Sequence, residues 1–357
     1  MISVGTENTY KEGTLKYRNW RLSINLVVLV FLLAYPCHAG RGETEEEEYQ
    51  DFRAALIELY NAGKYEEAAG LIEKNYDRFP GKVTNMSFNM ALVCKHLEDY
   101  ERGVGYLRRA HEKGHWFSIY AFEGDFWAPY REVDGFAEVL ARNLEMKEAA
   151  QKMAKPELEV VLPINHEGGK RYPLFIALHG GGENIENFKP RWTSETMEEE
   201  FIVAYVQSSQ VSSMDGFTWQ NQDMTKQEVR EAFERICNEY PVNEDEVIVG
   251  GFSSGGYASL VVTFFDVVPV TGFVILCPPM PENITEKEVL EAKAKGIRGT
   301  IITTDLDNRV PDQRRMADLF RKTGLQYQFI LTPNIGHWYP DDLPEMIDRA
   351  IAHIRSG

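Results

Sequence analysis

Cysteine is scarce in this chain, basic side chains are outnumbered, and no apolar run is long enough to cross a bilayer. Four cysteines occur in 357 residues. Cys37 borders an N-terminal apolar segment; Cys94, Cys237 and Cys277 remain as an odd set without disulfide-framework or metal-ligand spacing, and they read as small buried apolar residues. The 38 basic side chains stand against 55 acidic ones, a net charge of −17. Such a balance repels nucleic acid and anionic membrane surfaces at long range and excludes both as partners. Gly-x-Gly-x-x-Gly, the phosphate-loop pattern and His-Glu-x-x-His are all missing, so neither a nucleotide nor a catalytic zinc is expected and no cofactor is required.

The extended apolar run, Leu26 to Tyr35, is ten residues long. A membrane helix needs about 20. Lys11, Lys16, Arg18 and Arg21 precede the run, and Cys37 and Ala39 place small residues after it. This is the layout of a secretory signal over residues 1–39, cleaved after Ala39, which predicts an exported protein, periplasmic or secreted, with no stable span after cleavage. An uncleaved anchor or a buried helix is the competing reading. Residues 40–51 are acidic, with Glu45 to Glu48 consecutive, and read as a solvated linker.

Helix-compatible sequence fills residues 52–152. Within it Tyr65 and Tyr100, Ala68 and Gly103, and Ile72 and Leu107 recur at an offset of 35. Over about 50–114 this resembles a tetratricopeptide repeat, which implies an all-α domain in which a small residue lets two antiparallel helices approach, and a protein partner for that domain. Asp125-Phe126-Trp127-Ala128-Pro129-Tyr130 and Gly135-Phe136 resemble the segment that closes such repeats. The alternative is an ordinary helical subdomain packed on an enzyme. In either case the region reads as a scaffold, without a convergent polar cluster.

Lys155-Pro156 breaks the helical pattern and opens the stretch 157–357. Apolar runs at 159–163, 173–178, 202–206, 247–249, 272–276, 299–304 and 327–331 read as strands, and 225–240 reads as a one-faced helix. Alternating apolar strands and helices predict an α/β domain with a parallel sheet covered on both faces, its ligand at the carboxyl ends of the strands. His166 to Lys170 reads as a hairpin tip.

Four features fall at those carboxyl ends. Gly251-Phe252-Ser253-Ser254-Gly255 sits between a strand and a helix, where small neighbours let a serine adopt a strained turn and the helix N-terminus offers N–H groups. His179-Gly180-Gly181-Gly182 follows a strand, and the N–H of Gly180 or Gly181 is placed to pair with that of Ser254 as an oxyanion hole. Asp305 and Asp307 follow another strand, and the Asp-x-x-Val-Pro spacing favours Asp307. His337 lies in the loop after the last strand. A serine hydroxyl needs an imidazole to take its proton, and the imidazole needs a carboxylate to fix its tautomer. Trp219, in the polar insertion 208–223, is either a platform for a sugar or phenolic group of the substrate or a buried anchor of its loop.

The order Ser, Asp, His and these motifs over about 157–355 resemble the α/β-hydrolase superfamily, and within it the phospholipase/carboxylesterase group. The resemblance implies a sheet with helices on both faces and a serine hydrolase that cuts carboxylic esters, small or polymer-linked. It implies further that Ser253 is acylated, His337 acts as base and then acid, Asp307 orients it, and water releases the acid. Gly181 departs from the family pattern, standing where many relatives carry a larger residue. A peptidase on the same triad, or an inactive hydrolase-fold binding protein acting through its helical region, are the rival readings.

Overall fold

The computed structural model describes residues 43–356. The expected signal segment, residues 1–39, lies outside the described residues. Among the described residues no helix is long and apolar enough to cross a membrane. The chain divides into two compact units, one ending at Lys64 and the other beginning at Tyr65.

In the first unit, α1 spans Glu43–Asn61. It contains the run Glu45 to Glu48, which is therefore helical and not the expected linker. Acidic side chains near a helix N-terminus are favoured by its dipole, and side chains three or four apart meet on one face. Gln50 Nε2 donates to Glu46 Oε1 at 2.5 Å and Arg53 Nη1 to Gln50 Oε1 at 3.0 Å.

The second unit opens with four helices, α2 (Tyr65–Asn75), α3 (Val83–Leu97), α4 (Tyr100–Glu112) and α5 (Phe136–Met153). Tyr65 and Tyr100, the first pair at the offset of 35, each begin a helix, and Ala68, Ile72, Gly103 and Leu107 are buried. The small residue at 103 admits a side chain: a Cβ there would come within 2.6 Å of the Tyr130 hydroxyl, which donates to Ala91 O at 2.5 Å. Around Tyr130 and Trp127, 3-10 turns and clustered aromatic rings close this layer.

Helix α5 ends at Met153 and β1 begins at Glu157, but packing continues across the change. Gln151 Nε2 donates to Ser209 O, Val211 N to Gln151 Oε1, and Ile119 N to Ser212 O. The helical layer thus cradles the polar insertion that follows β3.

The sheet is mixed and seven-stranded. Its strands are β1 (Glu157–Val161), β2 (Tyr172–Leu178), β3 (Ile202–Gln207), β4 (Val242–Phe252), β5 (Gly272–Leu276), β6 (Arg298–Thr304) and β7 (Gln326–Thr332), in the order β1-β3-β2-β4-β5-β6-β7. All neighbours are parallel except β1 and β3. The expected all-parallel sheet is corrected at that edge, where an antiparallel strand needs no crossover helix and can leave one face in water. β3 lies between β1 and β2, so the turn at His166 to Lys170 is not the tip of a hairpin.

Helices cover both faces. Between β2 and β3 lie α6 (Ile185–Phe188) and α7 (Glu195–Glu200); α8 is Gln222–Glu239, α9 Ser254–Phe264, α10 Glu286–Ala294, α11 Val310–Thr323 and α12 Leu343–Arg355. Successive strand residues point to opposite faces. Leu174, Ile176 and Leu178 therefore pack with α8 to α11, while Phe175 and Ala177 pack with α6, α7 and α12. A sheet buried this way presents its parallel strand ends at one edge, and the candidate residues collect there.

Candidate active site

Ser253 occupies the turn between β4 and α9 with φ 54° and ψ −111°, a strained backbone for a non-glycine residue. Its neighbours make the turn possible. A Cβ at Gly251 would stand 2.3 Å from Leu178 O, and one at Gly255 only 1.9 Å from the same oxygen, so strand β2 passes too close for any side chain. The Ser253 N–H donates to Leu276 O at 2.8 Å, tying the turn to the end of β5. The Oγ is held against His337, 2.8 Å from Nε2.

The other face of the His337 ring meets an acid. Its Nδ1 lies 3.0 Å from Asp307 Oδ2. Asp307 is buried, and it also accepts from the Arg309 N–H at 2.9 Å and the Gln313 amide at 3.2 Å. Burial alone would raise this carboxyl, but the hydrogen bond and charge of His337 and the donors from Arg309 and Gln313 outweigh it and hold it at about 2. Asp305, the competing acid, is exposed; its N–H donates to Thr332 O. The ionised Asp307 fixes the proton of His337 on Nδ1, which leaves Nε2 as the acceptor toward Ser253.

Of the glycines after β2, Gly180 is removed as an oxyanion-hole donor. Its N–H is taken by Glu183 Oε2 at 2.7 Å. Gly181 is exposed and stands beside Ser254, where an added Cβ would lie 3.5 Å from Ser254 Cβ and 3.9 Å from the Tyr120 hydroxyl. Ser254, the first residue of α9, is held from the side chain, since its Oγ accepts the Trp219 N–H at 3.0 Å and lies 3.2 Å from Thr218 Oγ1.

Trp219 is the buried anchor of its loop and not a platform for substrate. It is fully buried; its Nε1 donates to His179 O at 3.1 Å and its ring lies 5.1 Å from that of His179. His179 is itself enclosed. Its Nε2 accepts the Ser208 N–H at 3.2 Å, so Nδ1 carries the proton and donates to Gly180 O at 2.7 Å. Burial lowers the imidazole to about 4, which keeps it neutral.

Four contributors escape a reading of motifs. Glu183 is buried directly after the glycines, and burial pushes its carboxyl up while the Tyr339 hydroxyl, the Gly180 N–H and Arg191 pull it down. Tyr339 lies two residues after His337, and its ring packs 4.3 Å from that of Phe252. Tyr120 comes from the helical layer that reads as mere scaffold; Gln220 Nε2 donates to its hydroxyl at 2.8 Å. Arg309 turns its guanidinium onto Ser253 and His337. Glu183 follows one quoted motif and Arg309 sits inside another, but burial and direction decide their roles and neither is encoded in spacing.

Cys277, Asp307 and His337 bring three metal-binding atoms within 4.8 Å of one another. The donor set does not fit a metal ion. Burial pushes the Cys277 thiol up to about 12, leaving it protonated and close to Thr304 Oγ1 at 3.4 Å. The facing atoms of Asp307 and His337 are engaged with each other.

No family model matches the sequence, and no curated protein does. Solved structures are similar in part. An uncharacterized protein from Bacillus cereus ATCC 10987 is 24% identical over 86% of this chain and 99% of its own, with a TM-score of 0.48. An S-formylglutathione hydrolase from Staphylococcus aureus is 17% identical over 56% of this chain and 92% of its own, with a TM-score of 0.43. A thermophilic esterase from Thermogutta terrifontis is 15% identical over 55% of this chain and 86% of its own, with a TM-score of 0.43. Likenesses of this size assign no chemistry, which is read from the site's own geometry.

Proposed function

We propose that the chain is an exported serine hydrolase of the α/β-hydrolase superfamily that cleaves carboxylic esters through an acyl-enzyme on Ser253. The observation that carries this reading is the unbroken contact series Ser253 Oγ, His337 Nε2, His337 Nδ1 and Asp307 Oδ2, set on a serine with positive φ. His337 takes the Ser253 proton as Oγ attacks the carbonyl carbon, and Asp307 stabilises the imidazolium that results. The N–H groups of Gly181 and Ser254 receive the charge that develops on the carbonyl oxygen. The proton then passes to the leaving alcohol, and water attacks the acyl-enzyme with His337 again as base.

Export rests on the N-terminal signal pattern of residues 1–39, and the helical layer from α2 to α4 is assigned a tetratricopeptide-like role in binding a protein partner. Hydrolysis of short p-nitrophenyl esters by residues 40–357 tests the enzymatic reading. Ser253→Ala and His337→Ala are each expected to lower kcat by at least ~10³-fold. Equal rates in wild type and both variants would remove it.

A further inference from the structure

Arg309 faces the serine although the triad has no use for it there. It precedes α11, and its N–H donates to Asp307 Oδ1, which fixes the main chain while the side chain turns back over the site. Nη1 donates to Ser253 Oγ at 3.1 Å and lies 2.8 Å from Nε2 and 3.4 Å from Nδ1 of His337.

Two features of this contact call for a ligand. The guanidinium is half-buried, yet among the described residues it forms no ion pair, in a chain with 55 acidic side chains. Arg102, Arg109, Arg191 and Arg355 all lie within reach of carboxylates. A charge partly withdrawn from water without a partner is costly, and an anion that enters the site would offset that cost. The position is equally specific. Nη1 stands within hydrogen-bond distance of both the nucleophile and the base, so a group next to the scissile bond of a bound ester comes within its reach. The guanidinium rests against the imidazole beside the nucleophile, and the lone pair of Nε2 is left to the Ser253 hydroxyl.

We infer that Arg309 determines specificity by binding an oxyanion on the alcohol half of the ester, next to the scissile bond. The substrates are then acyl esters of hydroxy acids or of hydroxyalkyl phosphates. This rests on the esterase reading of the same site. Carboxylate and phosphate both match the planar fork of a guanidinium. Pairing with the anion draws Nη1 off the Ser253 hydroxyl and leaves that hydroxyl to His337. The Oγ–carbonyl bond forms as the Ser253 proton moves to Nε2. The carbonyl–alcohol bond then breaks as that proton moves to the leaving oxygen, and the hydroxy acid departs with its anion still beside Arg309.

The test compares kcat/KM for matched pairs: O-acetylglycolate with O-acetylglycolamide, 2-acetoxyethyl phosphate with 2-acetoxyethanol, and, for charge on the acyl half, 4-nitrophenyl hemisuccinate with 4-nitrophenyl butyrate. Wild type should favour the anionic member of an alcohol-side pair by about 10- to 100-fold, and whichever pair shows the larger ratio identifies carboxylate or phosphate as the ligand. Arg309→Met should abolish the preference by lowering kcat/KM on the anionic member to that on the neutral one. Arg309→Lys should restore part of the preference, and Arg309→Gln replaces the Met variant if that chain does not fold. If the neutral esters are cut as well as the anionic ones and Arg309→Met lowers both alike, while Ser253 still reacts with a fluorophosphonate, the inference fails and the esterase reading stands. A preference confined to the acyl-side pair overturns it too. If no ester is cut and Ser253 does not react, both fall.

Discussion

The Tyr339 hydroxyl reaches both carboxylate oxygens of Glu183, at 2.9 Å and 2.7 Å. Because Glu183 also takes the Gly180 N–H, one buried carboxylate joins the loop that presents Gly181 to the loop that presents His337. Glu183 is a positioning residue by this geometry. Glu183→Ala should lower stability by about 2–4 kcal/mol, since it strands a buried N–H and a hydroxyl. It should also slow acylation of Ser253 more than it raises KM, which a purely structural role would not do. Tyr339→Phe keeps the ring against Phe252 and should show a smaller loss in both readings. Thermal midpoints and the rate of fluorophosphonate labelling check the pair.

Glycine substitutions should separate two kinds of close approach. Gly255→Ala places a Cβ 1.9 Å from Leu178 O, backbone that cannot move without opening the junction of β2 and β4. A loss of at least ~3 kcal/mol is expected for such overpacking, measured by urea unfolding. At Gly181 the nearest atom is 3.5 Å away, so Gly181→Ala should fold normally and alter only ester selectivity.

The acid side of the stability profile should carry the signature of His179. Its folded value of about 4 lies below the ordinary 6.5 because the ring is buried. The folded state therefore binds the proton less readily than the unfolded chain. Stability from this group is complete above about pH 6.5, falls as pH drops toward 4, and falls no further below. The full loss is about 3 kcal/mol at 1.36 kcal/mol per unit. Unfolding free energies of wild type and His179→Gln, compared at pH 7 and pH 4, should differ in slope by that order, with the variant the flatter.

Trp219 gives a test of anchor against platform. Trp219→Ala should cost about 3–5 kcal/mol by emptying a fully enclosed site. It should lower the rates on all esters together, because the loop whose backbone N–H holds Ser254 Oγ loses its Nε1–H anchor to His179 O, with their ranking unchanged. A change in ranking toward or away from aromatic esters would restore the platform reading.

Much of the site can be read from the chain because catalysis confines particular residue types to short motifs. Gly251, Ser253 and Gly255 follow from the steric needs of one turn, and the apolar runs that became β2 to β7 follow from burial on both faces. The edge strand β1 is half-exposed, and the parallel pattern of the other strands does not reveal its direction. Acidic composition favours a helix N-terminus as readily as a linker, which is how Glu45 to Glu48 came to lie in α1. The choice between Gly180 and Gly181 turned on a single carboxylate, Glu183, whose direction no spacing reports. Tyr120 lies 133 residues before Ser253 in the chain. Only tertiary packing of the helical layer on the insertion after β3 brings it beside Gly181.

The most direct measurement is the reaction of the chain with a fluorophosphonate, followed by intact mass and peptide mapping, in wild type, His337→Ala, Asp307→Asn and Asp305→Asn. A nucleophile activated as described should yield one adduct per chain on Ser253. Labelling should be nearly abolished in His337→Ala, slowed by at least ~10²-fold in Asp307→Asn, and unchanged in Asp305→Asn. An unlabelled wild type, or an adduct at another residue, would contradict the account and direct attention to the helical layer as the functional part of the molecule.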